Sequence, residues 1–291
     1  MELSYIFPAV AAFGYSLAAV CSKHALSAGF GVLRLALVIN WIFVPVFALL
    51  LLRHEGLVPD VQWYLPVLTG IAFFLGQVFT FAAIRMGDVS VQTPVMGSKA
   101  VFVVLFAVLM GVELIRVNLV VAAVLSMCAV ALLGFAGGRS KRIGRTVVLA
   151  LLSALFFAGS DTMVAAWGGS FGGPLFLLIV IVTNALLSLT LLPFFQEGLR
   201  QIPACAWRWG LVAGVMMAGQ ALILNYSLAT YQNVASANVI YSTRGLWSVV
   251  LGALPFVLLG GSAERISNLI RILRFMGAVL MCAAIGILFY N

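Results

Sequence analysis

The chain has 291 residues, of which 64% are Ala, Val, Ile, Leu, Met, Phe, Trp, Tyr or Cys and only 8% are Asp, Glu, Lys or Arg. Soluble domains carry about 45–50% apolar and about 25% charged residues, so this composition excludes one: a water-soluble globule built from it would expose far more apolar surface than monomers tolerate. The formal net charge of +8, from 16 basic and 8 acidic residues, therefore bears on which side of a membrane each loop faces, and a nucleic-acid partner is not needed to explain it.

At roughly 20 residues per crossing plus a short turn, the length allows about ten to twelve crossings and no separate catalytic head. Apolar runs of spanning length fall at 3–27, 31–53, 62–85, 88–111 and 116–136, then at 145–167, 173–195, 207–230, 233–259 and 269–290. The first run lacks a basic leader and is longer than a signal-peptide core, so it is a true helix. The expected fold is an all-α polytopic membrane protein of ten transmembrane helices. Five span residues 1–136, five span 145–291, and a basic connecting loop occupies 137–144. Cys21, Cys128, Cys205 and Cys282 are widely separated and form no CxxC or Cys/His cluster, so they read as small packing residues and no metal is expected.

The two sets of five resemble one another. Asp88, Val89, Ser98, Lys99 and Val104 recur as Asn233, Val234, Thr243, Arg244 and Val249, each 145 residues later. Gly76-Gln77 recurs as Gly219-Gln220 at 143, Phe13 and Ser16 as Phe157 and Ser160 at 144, and Met127-Cys128-Ala129 as Met281-Cys282-Ala283 at 154. The longer loop from Gly260 to Asn268 absorbs the final jump. An odd number of helices per copy makes the second copy enter the membrane the other way up. Such inverted repeats mark secondary transporters, whose halves exchange conformations around one central cavity.

Ten helices as two inverted fives, with Gly87-Asp88-Val89-Ser90-Val91-Gln92-Thr93-Pro94 matched by Gln232-Asn233-Val234-Ala235-Ser236-Ala237-Asn238, resemble the EamA-type ten-helix members of the drug/metabolite transporter superfamily. The resemblance covers essentially the whole chain. It implies a basket of helices around a cavity and transport, in many members export or exchange, of a small metabolite. Lys99 and Arg244 depart from it, since many EamA-type members have uncharged residues there. A cation on the ninth helix is similar to those of the phosphate-handling and nucleotide-sugar branches.

Loop charge sets the orientation. The side holding the N-terminus and the loops after even-numbered helices carries Arg53 and Arg116. The other side carries Lys23, Arg34, Arg85, Arg139, Lys141, Arg142, Arg145, Arg200, Arg208, Arg265, Arg271 and Arg274. The positive-inside rule makes the second side cytoplasmic and both termini extracytoplasmic, as in a bacterial inner membrane protein.

Few ionisable residues lie deep, and each costs on the order of 2.5–3.5 kcal/mol at a helix centre on insertion scales. Lys99 and Arg244 each sit eleven residues into their run, roughly 16 Å from its end at 1.5 Å per residue, too far to reach water through lipid. Asp161 is the comparably deep acid. One reading makes the three a buried network that fixes helix register. But one acid cannot neutralise two bases, and unpaired buried charge is costly, so the other reading gives the surplus cation to an anionic substrate. Arg suits bidentate grip of a carboxylate or phosphate, and Lys acts as a point charge. Asp161 is then a coupling or gating group that competes for the cations and carries a proton.

Helical spacing aligns Gln92, Met96, Lys99 and Val103 on one face, and Ala237, Tyr241, Arg244 and Ser248 on another. Tyr241 and Trp247 flank Arg244, as binding wall or as ordinary packing. Gln77 and Gln220 bind substrate or join helices by hydrogen bonds. Ser16 and Ser160 are weaker candidates of the same kind, because serine readily bonds its own helix. Asn225 and Asn238 read as structural, His24 and His54 as solvated residues at helix ends. Gly210 and Gly214 permit close packing within the chain. Gly168-Gly169 and Gly172-Gly173-Pro174 make a turn able to hinge.

No nucleotide loop, HExxH or nucleophile elbow is present, so neither an enzyme nor a cofactor is expected. The expected partners are membrane lipid, a small organic anion or zwitterion, and a coupling proton or counter-substrate, in a chain that functions alone. The alternatives are an exporter of neutral or cationic metabolites that uses Lys99, Arg244 and Asp161 as a structural or gating network, and an intramembrane enzyme or sensor.

Overall fold

The computed structural model describes residues 3–53, 62–86, 95–114, 116–134, 143–258 and 268–289. Among them all regular structure is helical. The helices are α1 (Leu3–Ser27), α2 (Val32–Ala48), α3 (Tyr64–Met86), α4 (Lys99–Met110), α5 (Val117–Gly134), α6 (Ile143–Trp167), α7 (Pro174–Ser188), α8 (Ala204–Tyr231), α9 (Val234–Tyr241), α10 (Arg244–Leu258) and α11 (Asn268–Phe289). Seven stretches among the described residues are long and apolar enough to cross a membrane: Leu3–Ser27, Val32–Leu52, Tyr64–Ala83, Gly144–Trp167, Pro174–Phe194, Ala204–Tyr231 and Ile272–Phe289. Lys99–Met110 and Val117–Leu133 are shorter apolar helices. The matched stretch Gly87–Pro94 with Asp88, Val89 and Gln92, most of the basic loop, His54, and residues 260–267 lie outside the described residues.

Two apolar runs expected as single helices are interrupted. The chain turns at Gly97-Ser98 before α4 and at Ser242-Thr243 between α9 and α10. Both interruptions have one local cause. Ser98 Oγ donates to the Val95 carbonyl and Thr243 Oγ1 to the Ile240 carbonyl, each at 2.7 Å, so a hydroxyl competes with the backbone ladder and tightens the helix to i→i+3 bonding. The backbone follows: Val101 N–H donates to Ser98 and Gly245 N–H to Ser242. Lys99 and Arg244 become the first residues of the half-helices that follow.

The helices pack in a defined order. α1 lies along α8 and α6 along α3; α2 also meets α8, and α7 meets α3. α1 contacts α10 and α6 contacts α4, while α2 packs on α7 and α5 on α11. Small residues set the closest approaches, as expected where lipid supplies no hydrophobic drive between helices. A Cβ on Gly210 would collide with the Phe30 ring, and one on Gly214 with the Ile42 side chain, so this GxxxG seats α8 against its own chain. Gly70 faces backbone: a Cβ there would meet the Val180 carbonyl oxygen at 2.7 Å. The turn after α6 uses Gly172 and Gly173 at φ of +87° and +27°, a region L side chains rarely adopt.

Polar contacts tie loops to helices at both ends of the bundle. Arg34 donates to the carbonyls of Gly29 at 3.0 Å and Gly198 at 3.3 Å and pairs with Glu197 at 3.1 Å, so its charge anchors loops. Glu113, in the turn after α4, accepts from the Ala235 N–H at 2.7 Å and from Ser236 Oγ at 2.8 Å. It thus caps α9 from another part of the chain, where Asn233 makes no side-chain cap.

Gly70→Ala should lower the detergent melting temperature through a clash with backbone that cannot yield, at a cost of about 1–3 kcal/mol. Gly219→Ala, whose Cβ meets nothing within 4 Å, should leave it unchanged or raise it; equal melts for the two variants would refute this account of the helix contact. Burial pushes the Glu113 carboxyl above its ordinary 4.5, outweighing the hydrogen bonds from Ala235 and Ser236 that pull it down. A raised folded-state value means that the native protein binds the proton more tightly. Its contribution to stability is therefore greatest below about 4.5 and declines as pH rises through the raised value. The melting temperature of wild type relative to Glu113→Gln should fall with rising pH across that window.

Candidate functional site

The site forms where α1, α6, α8, α9 and the starts of α4 and α10 converge. Lys99 and Asp161, from α4 and α6, pair at 2.7 Å with both side chains nearly buried. The deep acid is thereby committed to one of the two cations. Arg244 sits instead in a corner of two aromatic rings. Its guanidinium carbon lies 4.8 Å from the Tyr15 ring centroid and 4.6 Å from that of Tyr241, and the two rings stand 6.1 Å apart at 75°. The Lys99 ammonium is 5.8 Å from the Tyr241 centroid and 6.0 Å from that of Phe157, so Tyr241 stands between the cations.

A hydrogen-bonded frame holds this corner. Tyr241 is buried and donates its hydroxyl to Gln220 Oε1 at 3.0 Å, while Gln220 reaches Met217 Sδ at 3.4 Å. Ser16 Oγ donates to the Arg244 carbonyl at 2.9 Å and to the Ala12 carbonyl at 3.1 Å, and Ser248 Oγ donates to Ser16 at 3.2 Å. The Arg244 carbonyl belongs to the first turn of its half-helix, so Ser16 stitches α1 to the interruption itself. Among the described residues no carboxylate pairs with Arg244. Aromatic faces attract a cation through their quadrupoles, worth about 0.5–2 kcal/mol, but they carry no neutralising charge.

Lys99, Asp161, Arg244, Tyr241, Gln220 and Ser16 thus come together. Gln77 and Ser160 are spent elsewhere. Gln77 exchanges two hydrogen bonds with Asn40, at 2.8 and 3.0 Å, joining α3 to α2, and Ser160 Oγ donates to the Thr69 carbonyl at 3.3 Å. Met96 lies just before the Gly97-Ser98 turn, half-buried. Trp247 stacks edge-to-face on Phe13 at 5.2 Å and is 36% exposed, which makes it a packing residue rather than a wall around Arg244. Asn225 and Asn238 bond carbonyls one turn back in their own helices, as expected of structural residues.

Sequence reasoning missed Tyr15. It adjoins Ser16, but nothing in the spacing distinguishes it from other aromatics of α1; only the approach of α10 makes it a partner of Arg244. Asn40 was equally silent until Gln77 was placed opposite it.

No curated protein matches the sequence. Chains of solved structures do match, 29 of them. One crystal structure superimposes on 99% of this chain and 98% of its own, with a TM-score of 0.79 at 17% sequence identity. That likeness speaks for the fold alone. Residues 3–135 match the model of the EamA-like transporter family. That match covers just under half of the chain, and the seven stretches long and apolar enough to cross a membrane mark an integral membrane protein.

Proposed function

We propose that the chain is a secondary transporter that moves a small organic anion or zwitterion across the membrane by alternating access, holding it at Arg244 and Lys99. The carrying observation is the unequal partnership of the two cations: Lys99 has Asp161 at 2.7 Å, whereas Arg244 has the Tyr15 and Tyr241 rings and the Tyr241 hydroxyl but, among the described residues, no carboxylate. Arg244 is half-buried, and a cation held away from water without a counter-ion is costly; an anionic substrate supplies the missing charge. Both cations also open a half-helix. There the helix dipole disfavours positive charge and favours an anion.

Two inverted five-helix repeats making ten crossings, 1–136 and 145–291 joined by 137–144, complete the reading. Exchanging α1 with α6, α2 with α7, α3 with α8, α4 with α9–α10 and α5 with α11 maps the main packing pairs onto one another. The matched interruptions at Gly97-Ser98 and Ser242-Thr243 lie 145 residues apart. Both support a pseudo-two-fold arrangement able to open to either side in turn. Loop charge supports extracytoplasmic termini in a bacterial inner membrane. In this scheme Asp161 is the gating group: a substrate or proton that competes for it frees Lys99. Gln220, Tyr241 and Ser16 shape the site, Met96 borders it, and Gln77 and Ser160 hold the helices around it.

The Lys99–Asp161 pair also favours a second reading, in which that pair is a latch and the cargo is neutral or cationic. A thermal-shift screen separates the two. Ligands of the native state raise its melting temperature by mass action. Carboxylates, phosphorylated metabolites, amino acids and amines should therefore be tested on wild type and on Arg244→Ala. Stabilisation by anions in wild type, lost in a variant that keeps its own transition and loses flux in proteoliposomes, is expected. Stabilisation by amines or neutral compounds alone, equal in both proteins, would transfer the assignment to the latch. Lys99→Ala leaves Asp161 buried and uncompensated, so it should destabilise by about 3–5 kcal/mol, whichever cargo is carried.

A further inference from the structure

The charges of this site limit the valence of its cargo, an inference that rests on the anion-transport reading above. Among the described residues, the ionised groups that converge are Lys99, Asp161 and Arg244, close enough for their fields to act on one another. Lys99 and Asp161 cancel at 2.7 Å, which leaves the single charge of Arg244. Around that charge stand the rings of Tyr15 and Tyr241, and the Phe157 ring lies 6.0 Å from the Lys99 ammonium.

We infer that the site takes a singly charged carboxylate with an aromatic or apolar body and discriminates against divalent anions of similar shape. A guanidinium that meets two aromatic rings and the Tyr241 hydroxyl still has further in-plane N–H donors for one carboxylate, and the aromatic residues gathered around the two cations suit an apolar or aromatic body better than a second charge. One added negative charge brings the ensemble to neutrality. A second would sit beside the already paired Asp161 with no cation to meet it, at low effective dielectric where like charges repel strongly.

The probes are benzoate, monomethyl phthalate and phthalate, which share a ring and differ in charge, with benzylamine as the cationic counterpart. Binding to the purified full chain is measured by calorimetry and thermal shift near neutral pH. Benzoate and monomethyl phthalate should bind at least about tenfold tighter than phthalate, the scale of one like-charge contact at partial burial. Asp161→Asn raises the charge sum by one and should shift the phthalate-to-benzoate ratio toward phthalate by on the order of tenfold. The double variant Lys99→Gln/Asp161→Asn restores the sum and should return the ratio to that of wild type. If phthalate binds wild type as well as monomethyl phthalate does, or Asp161→Asn and the double variant give the same ratio, the valence inference is overturned while the anion reading stands. Should Asp161→Asn not fold, the monomethyl phthalate comparison in wild type decides alone. If only benzylamine binds, and Arg244→Gln binds it equally, the anion reading falls and the valence inference with it.

Discussion

An arginine in an apolar bundle, with aromatic rings but, among the described residues, no carboxylate beside it, is the constraint on which the rest of this structure turns. Arg244 can be kept there only if neighbouring helices shield it from lipid, and each convergent element contributes to that. Tyr15 comes from α1, Tyr241 from the half-helix just before it, and Gln220 from α8 holds the Tyr241 hydroxyl in place. Asp161 is the obvious counter-ion and is already taken by Lys99. Among the described residues the site is thus an ion pair beside an arginine that no carboxylate pairs with.

The frame that holds this arrangement is made of small residues and hydroxyls rather than large apolar side chains. Gly70 and Gly210 bring helices so close that a methyl group would collide with backbone or ring. Ser98 and Thr243 interrupt their helices by bonding three residues back, which puts a cation at the start of a half-helix in each half of the chain. Glu113 and Arg34 fasten opposite parts of the sequence through loop contacts. Within the apolar bundle such polar contacts have few alternatives.

Membrane character was legible in the sequence because it follows from composition and run length; of the ten expected crossings, seven stretches among the described residues are long and apolar enough. The order of repeated residues aligned Ser98-Lys99 with Thr243-Arg244, the positions of the two helix interruptions, although the interruptions themselves were not foreseen. A hydroxyl that bonds its own helix looks the same in sequence as one that does not. The pairing of repeat-related glutamines was legible only as a shared position. Gln77 turned to Asn40 and Gln220 to Tyr241, because each took the partner that a different neighbouring helix presented.

What the sequence by itself determined is the kind of solvent this chain lives in, where its charges fall along the apolar runs, and the likeness of residues 3–135 to the EamA-like transporter family. What only the tertiary structure decided is who meets whom. Charge count required that one of two cations go without the acid, but the choice of Lys99 over Arg244 depended on α4 and α6 being in contact. The recruitment of Tyr15 depended on α1 lying against α10. Depth and valence are properties of a single segment and can be read along it. Partnership is set by the packing of segments distant in sequence, and no local period encodes it.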